Sequence, residues 1–168
     1  MIGSVTVLAL VTAQRLGELV IAHRNTRRLL ARGGFESGAG HYLLIVALHA
    51  AWLMGLWWLA WDRPIHGGWL GVYVVLQAFR AWTLLSLGTR WTTRIITVPG
   101  ETLVRRGPYR FIPHPNYLVV VGEIAVLPLV FGLWPYALVF SLLNAAVLAV
   151  RLRAESAVLA QTRARSSS

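Results

Sequence analysis

The sequence predicts an all-α integral membrane protein of about five transmembrane helices, ending in a helical hairpin and carrying a cytoplasmic cap. Three observations point there. Hydrophobic residues make up 57% of the 168 positions and charged residues only 13%, against about 45–50% and about 25% in a soluble domain. Mean hydropathy is +0.61. The apolar residues gather into five runs at roughly 2–22, 42–61, 68–88, 116–133 and 135–152, each near the ~20 residues a spanning helix needs.

The first run carries Gln14, Arg15 and Glu18 and reads as a retained helix rather than a cleaved leader. The second and third are longer and cleaner. The fourth is short and holds Pro128, which predicts a kink or tilt. The fifth opens at "GLWPY", where Pro135 suits a first helical turn, so the last two helices form a tight hairpin. The layout is one membrane-embedded domain over 1–168. It comprises three helices to residue 88, a cap segment 89–115, the hairpin 116–152 and a C-terminal tail 153–168.

Every cation is an arginine, and the net charge is +10. The arginines sit in short clusters between apolar runs, not along one solvated face, which argues against a nucleic-acid partner. Arg24, Arg27, Arg28 and Arg32 follow the first run; Arg90, Arg94, Arg105, Arg106 and Arg110 separate the third from the fourth; Arg151, Arg153, Arg163 and Arg165 end the chain. Five spans put these clusters on one side and leave Arg63 opposite. The positive-inside rule then places the N-terminus outside and the C-terminus in the cytoplasm. Cysteine is absent, which removes disulfides, thiolate metal sites and a cysteine nucleophile. His41 and His49 are eight apart, unlike a helical zinc pair, and no metal site is expected; neither a G-x-G-x-x-G nor a P-loop is present.

The connection from Gly88 to Pro115 exceeds the ~12–15 residues of an ordinary loop. Within it, "WTTRIITV" alternates enough to be extended, and "VPGETLV" reads as a turn. In "RRGPYRFIPHPNYL", Pro108, Pro113 and Pro115 each fix a φ angle and remove a donor, and the residues before them are pushed toward extended geometry. Such a stiff strip, bearing Tyr109, His114, Asn116 and Tyr117, can wall a small-molecule site. It can equally be a re-entry loop with interfacial aromatic anchors. In "RLRAE", Arg151 and Glu155 share a helix face at i, i+4; they form either a surface ion pair or a site facing the cap. Arg15 and Glu18 can neutralise each other, and Arg80 and Glu123 are candidates for a cross-helix pair, because lone charges at membrane depth are costly. Asn144 and His49 read as structural.

"ETLVRRGPYRFIPHPNYLVVVGE", followed after the hairpin by "RLRAE", resembles the isoprenylcysteine carboxyl methyltransferase family, over about residues 88–160. The resemblance implies S-adenosylmethionine as cofactor and S-adenosylhomocysteine as product. It places Glu101, Thr102, Leu103, Val104, Tyr109, His114, Pro115, Asn116, Tyr117 and Glu155 around the cofactor, with Arg94 near a further contact and the cap as the cofactor-binding element. Arg151 falls to the substrate oxygen, so that Arg151 and Glu155 are the catalytic pair. Read from their place at membrane depth rather than from the resemblance, Arg15, Glu18 and Glu123 either serve the structure or line a lipid-substrate tunnel. Pro113 replaces the family's arginine before the histidine, and Ser156 replaces a second acidic residue.

"QRLGELVIAHRN", "GGFESGAGHY" and "ALHAAW" resemble a bacterial branch of that family, which implies the bacterial cell membrane and lipophilic acceptors such as alkylpyrones and alkylresorcinols. Competing expectations are an NADPH-dependent membrane reductase of the steroid-reductase type, a non-enzymatic scaffold or small transporter, and a phospholipid N-methyltransferase, for whose amine acceptor Arg151 is a poor partner. Membrane lipids are expected neighbours.

Overall fold

A computed structural model describes residues 1–37, 39–102 and 104–166, with side chains over 1–36, 42–102 and 104–153. Five α-helices build it: α1 (Ile2–Ala31), α2 (Ala39–Ala60), α3 (Gly67–Leu87), α4 (Pro115–Val130) and α5 (Trp134–Ser166). Four are long and apolar enough to cross a membrane, and α4 is a shorter apolar helix. The fold is thus that of an all-α integral membrane protein. Its outer surface agrees, with Leu43, Trp58, Val75, Leu85 and Leu142 all exposed, as lipid-facing side chains are.

Several boundaries move. Helix α1 runs to Ala31, so Arg24, Arg27 and Arg28 stand on its final turns rather than after it. Arginine is a good helix former, and hydropathy ends where the helix does not. Helix α5 likewise continues to Ser166, making the tail after residue 152 helical. Helix α4 stops at Val130. Pro128 lies in its last turn, and Gly132 follows at φ +69°; the Leu133 N–H then bonds back to the Pro128 carbonyl at 3.0 Å. Proline near the end and a left-handed glycine just beyond it terminate the helix, and Trp134–Pro135 starts the next.

The apolar core lies toward the end of the bundle remote from the cap. There Leu8 and Val11 of α1, Trp52 and Leu56 of α2, Tyr73 of α3 and Ile124 and Leu127 of α4 pack with Phe131. At that end the Ser4 hydroxyl donates to the Arg63 carbonyl at 2.5 Å. At the other end one or more arginines from each cluster, Arg32, Arg90, Arg94, Arg106 and Arg151, bond to groups in or beside the cap.

The cap is held in three ways. Residues Phe35–Ser37 (β1) and Ile95–Thr97 (β2) form an antiparallel ribbon with Phe35 opposite Thr97 and Ser37 opposite Ile95. The buried Asn25 amide donates to the carbonyls of Trp91 (2.9 Å) and Gly88 (3.3 Å). The Gly107–Arg110 turn is pressed onto the end of α3: Arg106 Nε donates to the Ser86 carbonyl at 2.7 Å. Gly107 has φ +57°, and a Cβ there would meet Ser86 Oγ at 2.0 Å. No other residue type serves at that contact without displacing the strip.

Candidate functional site at the cap–membrane junction

A cavity of about 330 Å³ lies between the helices and the cap. Its cap end is formed by Thr93, Asn116, Tyr117 and Arg151, and its membrane end by Arg15, Glu18, Arg80 and His49. Apolar side chains fill the walls between. Leu16 and Leu19 of α1 and Val46 of α2 line it while being 59%, 48% and 39% exposed on the outside, so the wall between α1 and α2 is a single layer of side chains.

At the cap end, Arg151 is fixed by two acceptors. Its Nε donates to the Tyr117 hydroxyl at 2.9 Å and its Nη1 to the Thr93 carbonyl at 3.1 Å. The guanidinium carbon stands 5.4 Å from the Tyr117 ring centroid, within cation–π range. His114 stacks on the same tyrosine at 5.1 Å and 15°. Pro115 is buried at the first turn of α4, which aims Asn116 and Tyr117 into the cavity. Burial pushes the Tyr109 hydroxyl pKa up, and the neighbouring Tyr117 adds to the shift. It therefore remains a neutral hydroxyl.

Three buried polar atoms around the cavity have no hydrogen-bond partner among the described residues: Asn116 Oδ1, Trp91 Nε1 and Trp52 Nε1. Buried polar atoms are generally paired, so each calls for an explanation.

Neither His114 nor Tyr109 lines the cavity itself, and the other cap residues singled out from the sequence lie elsewhere. Glu101 forms ion pairs with Arg32 and with Arg90 Nε, the latter at 3.2 Å. The Thr102 carbonyl accepts from Arg90 Nη1 at 2.7 Å. Thr102 and Val104 line a second, shallower cleft with Arg90, Arg105 and Arg106. Arg94 pairs with Glu36 at 2.7 Å and stacks 4.6 Å over Tyr42; the Glu36 carboxylate raises its pKa further. Leu103 and the side chains of Glu155 and Ser156 lie outside the described residues.

At membrane depth, the two pairs anticipated separately form one network. Arg80 grips Glu18 with two bonds, Nε–Oε1 at 2.6 Å and Nη2–Oε2 at 2.5 Å, and reaches Glu123 Oε2 at 2.9 Å. Arg15 joins both carboxylates, at 2.8 Å to Glu123 and 3.3 Å to Glu18. Gln77 donates to Glu123 at 2.7 Å, and Gln14 bonds Gln77 at 2.8 Å and Glu18 at 3.0 Å. Two cations and two anions balance, and amides occupy remaining acceptor positions. This is how charges are tolerated away from water. Thus Arg15 and Glu18 line the cavity, whereas Glu123, expected to line it too, is fully buried and instead holds Arg15 and Arg80 from behind.

Sequence reasoning missed Tyr42, Trp91 and Thr93, which complete the cap end. Tyr42 OH lies 3.3 Å from Thr93 Oγ1, joining α2 to the strip that receives Arg151. The available signal was "RWTTR", a cluster of aromatic and hydroxyl side chains opening the cap.

The model of the isoprenylcysteine carboxyl methyltransferase family matches residues 69–161, more than half of the chain. The chain is 37% identical to the uncharacterized protein YpbQ of Bacillus subtilis over 157 residues, covering 90% of this chain and 94% of that one. An uncharacterized protein of Haemophilus influenzae is 24% identical over 158 residues, covering 90% and 91%. No solved structure matches.

Proposed function

Because the chain belongs to the isoprenylcysteine carboxyl methyltransferase family, we propose that it is an S-adenosylmethionine-dependent methyltransferase acting on an oxygen of a lipophilic acceptor. The observation that carries this reading is the single cavity that joins the doubly anchored Arg151 to apolar walls at membrane depth.

The cap-end residues suit the cofactor. The His114–Tyr117 stack offers flat aromatic surface to a purine. Asn116 Oδ1, a buried acceptor without a partner among the described residues, suits an amino group. Tyr109, Asn116, Tyr117 and His114 would hold the cofactor, with Glu155 and the 101–104 strip assigned by resemblance. Bound there, S-adenosylmethionine supplies an electrophilic methyl group.

The protein's own task is placement. Tyr117 and Thr93 fix the Arg151 fork so that it receives an acceptor oxygen in one orientation, and orientation accounts for much of the rate in a displacement of this kind. Its positive charge also favours the ionised form of a phenol or enol, whereas a carboxylate arrives ionised. The thin wall between α1 and α2 admits a tail from the bilayer. The C-terminal end, which bears Arg151, faces the cytoplasm in this reading, with the N-terminus outside. The N-terminal resemblance favours a polyketide-type lipid over a prenylated cysteine.

The test is transfer of a tritiated methyl group from S-adenosylmethionine into solvent-extractable lipid by membranes carrying the protein. Label should accumulate with the wild type and not with Arg151→Met. Alkali-labile label identifies a carboxylate acceptor and alkali-stable label an ether. Binding of NADPH with no methyl transfer would overturn the reading in favour of a reductase.

A further inference from the structure

We propose that the membrane end of the cavity is a second polar subsite, formed by His49 and Trp52, which recognises a hydroxyl group carried deep along the acceptor. The inference rests on the reading of this cavity as the acceptor site. It concerns which lipid fits there.

His49 Nδ1 lies 2.8 Å from the Ile45 carbonyl. A carbonyl only accepts, so Nδ1 carries the proton, and in the neutral ring Nε2 is an acceptor. Trp52 is 1% exposed, and its Nε1, which can only donate, has no partner among the described residues. The two residues are three apart on α2 and line the same cavity, so they share a face one turn apart. One acceptor and one donor together match a hydroxyl, which donates to the first and accepts from the second.

The depth of this subsite is set by α2. Tyr42 stands at the cap end, its hydroxyl 3.3 Å from Thr93 Oγ1, and His49 is seven residues further along. At 1.5 Å per residue that is about 10 Å. Helix α4 repeats the offset: Asn116 is at the cap end, and Glu123, which holds Arg15, is seven residues deeper. A plain hydrocarbon tail laid over His49 and Trp52 would leave both polar atoms unpaired, whereas a hydroxyl pairs both. The cavity therefore selects a lipid with a second hydrogen-bonding oxygen roughly 10 Å from the head oxygen and disfavours an unbroken alkyl or prenyl chain.

The test compares calorimetric binding of decanoate and ω-hydroxydecanoate to the protein in lipid nanodiscs, with empty nanodiscs subtracted. A hydroxyl ordinarily weakens binding in an apolar pocket, so the sign is diagnostic. The subsite predicts that ω-hydroxydecanoate binds about tenfold more tightly than decanoate, as two net hydrogen bonds would give. The doubly substituted His49→Leu, Trp52→Phe protein should lose that preference. Decanoate binding as well or better, a preference that survives in a folded double variant, or binding of neither compound would overturn the inference. S-adenosylhomocysteine binding to the same samples reports folding of the variant. It also separates the two claims: if it persists while the hydroxyl preference is absent, the subsite fails and the methyltransferase reading stands.

Discussion

Arg151 and Tyr117 are 34 residues apart in sequence, yet the arginine Nε donates to the tyrosine hydroxyl at 2.9 Å. That bond ties the middle of α5 to the first turn of α4, and it sets the direction of the Arg151 cation at the cavity's cap end. Tyr117→Phe keeps the ring and its stack with His114 but releases Nε. Hydrogen bonds involving a charged group contribute about 1.5–3 kcal/mol, so methyl transfer should fall roughly ten- to hundredfold while the protein remains folded. An unchanged rate would show that Arg151 needs no such anchor.

The charged network at membrane depth predicts non-additive stability. Glu18→Leu leaves Arg80 and Arg15 short of a carboxylate inside the bundle and should cost about 3–5 kcal/mol in reversible detergent denaturation. Adding Arg80→Met to it restores electrical balance, with Arg15 and Glu123 still paired at 2.8 Å. The double variant should accordingly be more stable than Glu18→Leu alone. Simple addition of the two single effects would contradict the network.

Gly107 tests how the cap is seated. Gly107→Ala meets both a left-handed φ and the Ser86 side chain, so the 107–110 turn must lift from α3. Faster limited proteolysis within residues 100–113 and loss of methyl transfer are expected. Ser86→Gly in the same protein removes the clash but not the backbone cost of about 1–2 kcal/mol, so rescue should be partial. No effect of Gly107→Ala would show that the turn is not held there.

Asn25 gives a milder version of the same test from α1. Asn25→Leu deprives the Trp91 and Gly88 carbonyls of their donor, which should lower stability by about 1–3 kcal/mol. The denaturation midpoint measures it. A shift within error would place the cap's support elsewhere.

Hydropathy made the five helices legible, and Pro135 made the start of the last one legible, because burial in lipid imposes long apolar runs. It failed at the ends of α1 and α5, where arginines continue the helix beyond the apolar stretch. Arg80 with Glu123 was readable as a cross-helix pair from the cost of isolated charges. That Arg15 and Glu18 belong to the same network was not, since it depends on α1 lying beside α3 and α4, a tertiary fact. The same limit explains Thr93 and Trp91: nothing local marks a carbonyl as the seat of Arg151 or an indole N–H as unpaired. The Phe35–Ser37 strand pairs with a partner some sixty residues away and is too short to carry a pattern. His49 read as a structural histidine; its place on the cavity wall emerges only when α2 is set against α1.

Cofactor recognition is the central claim, and calorimetric binding of S-adenosylhomocysteine to the purified protein tests it most directly, with His114→Ala and Glu155→Ala as paired variants. The account predicts one saturable site in the wild type and loss of binding in both variants while they remain folded. A folded wild-type protein that does not bind S-adenosylhomocysteine, or binding untouched by both substitutions, would contradict it.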